Sequence, residues 1–257
     1  MKILVLIKQV PDDVVKVELG ADQKPAVGSI AKIVNAMDTY AIEMAVREVE
    51  ANGGEVVVAT LGDPDEVRPA LVQEISVGAG KAYCGRMDTS AKDAYALATD
   101  LKYFVRDIEK AEGAPFDLVL CGKESTDEIS SQVGAILAEK LETGFLSSVI
   151  GFEKKGDVLE VKQQTEFGYN LFETKLPATL TIEKPEYDPR YPTLKSKMKA
   201  RKAEIPVLEL GAGREAKTIL LSYGEPPKRE AGIRIQEKEA AVAVEKAMAI
   251  LSENRLI

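Results

Sequence analysis

The sequence predicts an α/β protein: a Rossmann-like parallel sheet with helices on both faces, a β-rich extension and a C-terminal arm. Three observations carry the prediction. Short, wholly apolar runs alternate with helical apolar stripes over the first 150 residues, as parallel strands buried on both faces and their covering helices do. Beyond residue 150 the pattern changes to paired, alternating strand-like segments, and from Pro185 onward prolines interrupt the chain and long apolar stripes become few.

Each element follows from its residues. Residues 2–7 (Lys-Ile-Leu-Val-Leu-Ile) read as a buried strand, stopped by Gln9-Val10-Pro11. Residues 38–51 place Ala41, Ile42, Ala45, Val46 and Val49 on one helical stripe, with Asp38 suited to be the N-cap. Gly53-Gly54 closes that helix, residues 55–61 form a second strand, and residues 65–77 a second helix. A short strand at 82–84, a helix over 90–112, a strand at 117–121 and a helix over 132–141 complete the alternation. Segments 158–164 and 170–175 pair as strands, residues 178–182 form another, and a last helix runs over about 237–253. The expected division is a nucleotide-binding domain over 1–184 and a recognition loop with an embracing arm over 185–257.

Composition excludes several classes of function. No histidine is present, which removes the commonest general base and metal ligand, and with it Ser-His and Cys-His nucleophiles. Cys84 and Cys121 fit neither a metal knuckle nor a redox pair, so no metal site is expected. A net charge of −8 argues against a nucleic-acid binder. The apolar runs are strand-length, far below the roughly 20 residues of a membrane span, and the N-terminus lacks a signal-peptide core. The chain is expected in the cytoplasm, with any redox chemistry left to a bound cofactor.

Ligands in such sheets bind beyond the carboxyl ends of the strands, which singles out the loops after Ile7, Leu61 and Cys121. Gly122-Lys123-Glu124-Ser125-Thr126-Asp127-Glu128-Ile129-Ser130-Ser131-Gln132-Val133-Gly134 joins a strand to a helix whose free N–H groups attract anions. It is neither a Walker loop nor a GxGxxG, so a plain surface loop and a nucleotide cradle both fit it. Gly134 is expected to let the backbone approach a phosphate. Asn35-Ala36-Met37-Asp38 serves either as helix caps or as a reader of an adenine edge or ribose. In the basic run over 190–202, Leu194 and Met198 stand one helical turn apart among Lys195, Lys197, Lys199, Arg201 and Lys202. This is either a solvated face or an apolar knob ringed by cations for docking an acidic partner.

The opening Lys2-Ile3-Leu4-Val5-Leu6-Ile7-Lys8-Gln9-Val10-Pro11-Asp12 resembles that of the electron transfer flavoprotein β subunits. So do the 122–134 loop, Leu176-Pro177-Ala178, the segment from Pro189-Arg190-Tyr191-Pro192-Thr193-Leu194 to Met198-Lys199-Ala200-Arg201-Lys202, and Arg229-Glu230-Ala231-Gly232-Ile233. The likeness covers nearly the whole chain in order. It implies a non-catalytic carrier subunit that moves electrons between flavin-dependent dehydrogenases, such as acyl-CoA dehydrogenases, and a downstream acceptor. FAD would be held mainly by an α subunit around which the C-terminal arm wraps. An adenine nucleotide, AMP or the AMP part of a second FAD, would lie against Leu6, Asn35 to Asp38, Leu61 and residues 122–133, with Ser131, Gln132 and Val133 at its phosphate. Leu194 would be the recognition-loop leucine.

The sequence departs from the family pattern where Asn-Pro becomes Asn35-Ala36 and Asn-Gln-Thr-Gly becomes Ser131-Gln132-Val133-Gly134. The second change is shared with many electron-bifurcating members, which oxidise NADH at the second FAD, whereas Glu124-Ser125-Thr126-Asp127 is closer to conventional ones. Both variants therefore stand at this point. A universal-stress-type nucleotide sensor shares the sheet architecture but has no use for the Pro-rich arm or for Leu194 in its basic ring.

Overall fold

A computed structural model describes residues 1–211, 213–227 and 231–257; Arg229 and Glu230 of the C-terminal motif lie outside the described residues. In chain order, β1 (Lys2–Leu6) leads to a short antiparallel ribbon of β2 (Gln9–Pro11) and β3 (Lys32–Val34). Then come α1 (Ala36–Asn52), β4 (Glu55–Gly62), α2 (Pro64–Val77), β5 (Lys81–Arg86), α3 (Ala94–Glu112), β6 (Leu118–Gly122) and α4 (Val133–Leu141). The chain continues as β7 (Gly144–Lys155), β8 (Val158–Thr165), β9 (Gly168–Lys175), β10 (Ala178–Ile182), α5 (Leu194–Ala200), β11 (Val207–Glu209) and α6 (Ala240–Glu253).

Nine of these strands form one sheet, ordered β11-β5-β4-β1-β6-β10-β7-β8-β9. Every pair from β11 to β7 is parallel, and the β7-β8-β9 end is antiparallel. β1 lies between β4 and β6, so the chain reverses its direction of travel across the sheet on either side of β1. That reversal opens a crevice at the carboxyl ends of β1 and β6.

Alternate residues of the central strands feed two cores. Ile3, Val5 and Ile7 pack under α1 and α2 with Ile42, Val46 and Leu71. Leu4 and Leu6 pack under α3 and α4 with Phe104, Ile108 and Leu137. β1, β4, β6 and β10 are largely apolar because both faces are covered, with Thr60, Thr179 and Thr181 buried among the apolar residues.

Local sequence signals set the helix ends. Asp63 caps α2 by accepting the N–H groups of Asp65 and Glu66, with Pro64 following it. Asp93 caps α3 through Ala96 N–H, so that helix begins four residues after the Ser90 expected from its apolar stripe. Asp38 is not the cap of α1. The helix begins at Ala36, with Asn35 in the cap position, and Asp38 is buried in the first turn. Three further features were not expected: β7, β11, and the ribbon made by Gln9-Val10-Pro11 pairing with residues 32–34 where the sequence indicated only a stop.

The described residues divide into two compact units, Met1–Val17 with Ala26–Leu221, and Glu18–Pro25 with Ser222–Ile257. In the first, the segment after Pro185 lies over the sheet-and-helix body: α5 packs on α2 and β11 joins the sheet beside β5. Arg190 fastens it, its guanidinium spanning Glu43 at 2.8 Å and Glu50 at 2.6 Å. In the second unit, α6 buries none of its residues. No helix among the described residues is long and apolar enough to cross a membrane.

Candidate functional site

The crevice is built around two side chains of the α1 N-terminus. The carboxylate of Asp38 accepts the N–H of Lys8, just past β1, and the N–H of Gly122, the last residue of β6, both at 2.7 Å. It thus bridges the two strand ends at the point where the sheet order reverses. Asn35 donates from Nδ2 to the Glu124 carbonyl at 2.9 Å and accepts Thr126 N–H at 3.1 Å, fixing the first turn of the following loop. Both side chains are almost fully buried. Burial pushes the Asp38 carboxyl up to about 6, against the opposing pull of its N–H donors and of Lys8.

Gly122 is needed for this close approach. A Cβ there would lie 2.6 Å from Asp38 Oδ1 and 2.7 Å from Met37 Cβ. Lys8 latches the loop from below, its ammonium reaching Ser125 Oγ at 3.3 Å, Asp127 at 2.9 Å and Glu128 at 3.0 Å. Lys123 turns away to Glu183 at 2.9 Å, Glu124 is bonded by the Ser131 hydroxyl, and Ser131 and Ile129 adopt positive φ. The loop acids are therefore committed to partners inside the protein.

The loop delivers the chain to α4, whose N-terminus has no side-chain cap from Gln132 or any other described residue. Its first-turn N–H groups remain available to an anion. Gly134 has a different task from the one expected of it. Its missing Cβ faces the sheet, overlapping the Thr181 methyl and standing 3.1 Å from Cys121 Sγ, so this glycine seats α4 on β10 and does not itself open space for a phosphate.

The structure therefore brings together residues 35–38 and 122–134 at one end of the sheet, with Leu6 and Leu61 at the carboxyl ends of β1 and β4. Leu6 and Leu61 belong to the core beneath α3 and α4. Within 35–38 the polar atoms of Asn35 and Asp38 are occupied, which leaves exposed Ala36 and half-buried Met37 as the surface offered to a ligand. Ser130, Ser131, Gln132 and Val133 line the approach to α4. The docking set is elsewhere, since α5 packs on α2. Leu194 and Met198 are 77% and 59% exposed, and Lys195 and Lys197 are exposed beside them.

The sequence pattern of the electron transfer flavoprotein domain matches residues 28–212, which takes in Asn35, Asp38, the 122–134 loop and every strand of the large sheet except β1. Relatives named electron transfer flavoprotein subunit beta align along nearly the full length. That of Thermoanaerobacterium thermosaccharolyticum is 36% identical over 89% of this chain and 86% of its own. The human protein is 30% identical over 95% and 96%, and that of Megasphaera elsdenii 29% across the whole of both chains. The chain belongs to the electron transfer flavoprotein β-subunit family.

Four residues of this β subunit that shape the site or its surroundings escaped the sequence reading: Lys8 as the loop latch, Arg190 as the clamp, Thr181 as the floor under α4, and Glu74. The Lys8-Gln9 step after a buried strand offered a signal for the first. The others are defined only by partners far away in the chain.

Proposed function

We propose that this chain is the smaller subunit of an electron-carrying heterodimer and that its crevice holds the adenine nucleotide of that assembly. The observation that carries the reading is the joint placement of the Asp38 bridge and the uncapped α4 N-terminus at the switch point of the sheet. Phosphate would be bound by the first-turn N–H groups of α4, with the Ser130 hydroxyl and the backbone of Ser131, Gln132 and Val133 beside it. The adenosine end would lie against Ala36 and Met37, held in place by Asn35 and Asp38 from behind. These roles are binding and orientation; FAD, held mainly by the larger α subunit, supplies the redox chemistry when bound.

Partner surfaces support the same reading. In the first unit Ile219, Leu220 and Leu221 are largely exposed, and in the second Val244 and Met248 of α6 are, apolar side chains of the kind a second subunit covers. Leu194, ringed by Lys195, Lys197 and Lys199, suits a flavin-dependent dehydrogenase with an apolar socket and an acidic rim. The test is to denature the purified heterodimer and identify what it releases. One FAD with one AMP supports the conventional carrier, and two FAD the bifurcating form. No adenine nucleotide beyond a single FAD overturns the site, and a colourless homodimer binding ATP would favour a sensor.

A further inference from the structure

A second cavity lies between α1, α2 and the segment carrying Arg190, with a volume of about 380 Å³. Its walls include Tyr40, Ile42 and Val77, and Glu74, Asp188 and Tyr191 also line it. Two of its charged groups are already spent, because Arg190 is paired with Glu43. Asp188 is exposed and forms no ion pair among the described residues. Glu74 is the anomaly. It is 2% exposed, and its Oε1 is the one buried side-chain oxygen or nitrogen among the described residues without a hydrogen-bond partner.

A buried carboxyl left unpartnered lowers stability, and Glu74 lines the cavity, so a cation that pairs with this carboxyl from the cavity would offset that cost. Burial, with the nearby Asp38 charge adding to it, pushes this carboxyl up to about 8, the response of an acid that lacks a cation. The surroundings select the sign and shape of that ligand. Asp188 gives the lining a negative charge, Glu74 becomes a second one when a cation partners it and displaces its proton, and Ile42, Val77 and the ring of Tyr40 are apolar; tyrosine faces attract cations. A water molecule occupies about 30 Å³ of liquid volume, so the space admits a stem of several carbons with its ammonium group.

We propose that this cavity binds a small primary alkylammonium ion, its ammonium group paired with Glu74 and its stem against Ile42 and Val77. None of residues 35–38 or 122–134 lines this cavity, so its ligand and the nucleotide would occupy different spaces.

The test is isothermal titration calorimetry of the purified heterodimer with n-butylammonium chloride. n-Butanol serves as the neutral isostere and potassium chloride as the ionic-strength control. The expected result is saturable n-butylammonium binding, at least about tenfold tighter than n-butanol, and weakened about tenfold or more by Glu74→Gln; tenfold is the effect of about 1.4 kcal/mol. Near-ultraviolet circular dichroism and released-nucleotide content, both unchanged in Glu74→Gln, establish that the variant is folded. Equal affinity for n-butanol and n-butylammonium, full retention of affinity in Glu74→Gln, or no binding to the folded wild type would each overturn the proposal.

Discussion

Adding one methyl group at Gly134 tests whether α4 is set by its seat on the sheet. A Cβ at this position falls inside 3.0 Å of Thr181 Cγ2, closer than real Cβ atoms come, and 3.1 Å from Cys121 Sγ. Thr181 is buried in β10, so α4 has to move. Alanine in place of glycine favours the helix by up to about 1 kcal/mol. Overpacking of this kind costs about 1–3 kcal/mol. The expected net loss is about 1–2 kcal/mol, or roughly 2–8 °C in melting temperature for a chain of this length. Nucleotide retention should fall with it, because the N–H groups proposed to hold phosphate travel with the helix.

The structure names its own rescue. Thr181→Ser deletes only the clashing Cγ2, so Gly134→Ala combined with Thr181→Ser should be no less stable than Thr181→Ser alone. The assay is a double-mutant cycle by thermal unfolding, with released nucleotide quantified in all four proteins, and coupling of about 1–2 kcal/mol is expected. A Gly134→Ala protein that melts with the wild type, or a loss that Thr181→Ser leaves untouched, refutes the steric reasoning.

Four further outcomes are expected. Glu74 is raised in the folded state from 4.5 to about 8, so its contribution to stability is fully present below pH 4.5 and is lost as pH rises through 8. Glu74→Gln should match the wild type in acid and exceed it by up to about 5 kcal/mol above pH 8, read from denaturant midpoints across pH; parallel profiles would contradict this. Arg190→Ala should cost about 2–4 kcal/mol and speed tryptic cleavage at Lys195 and Lys197, because it frees the segment from Glu43 and Glu50; an unchanged cleavage rate would show that the clamp is idle. Leu194→Ala should leave the melting temperature alone yet weaken a dehydrogenase complex by about 2 kcal/mol, measured by stopped-flow flavin reduction, and wild-type transfer would reduce the basic run to a solvated face. Deleting residues 222–257 should leave the first unit folded by circular dichroism but unable to co-purify with an α subunit; a truncated chain that keeps its partner would make the arm dispensable.

Local physics explains what the sequence determined alone. β1, β4, β6 and β10 announce themselves because a strand covered on both faces is dominated by apolar residues, and α1 and α3 because a helix with one buried face repeats every three to four residues. The crevice could be located for the same reason, since alternating strands and helices fix where the carboxyl ends lie. Only the tertiary structure revealed β7, whose mostly half-exposed residues give no clean alternation, and the real work of Asp38, which looks like a cap until Lys8 and Gly122 arrive from 30 and 84 residues away. Arg190 finds Glu43 across 147 residues, Gly134 finds Thr181, and Glu74 Oε1 finds no hydrogen-bond partner among the described residues. Sequence reports what a residue is and what repeats around it, whereas the energy of a buried charge or a missing methyl depends on neighbours that only folding brings into contact.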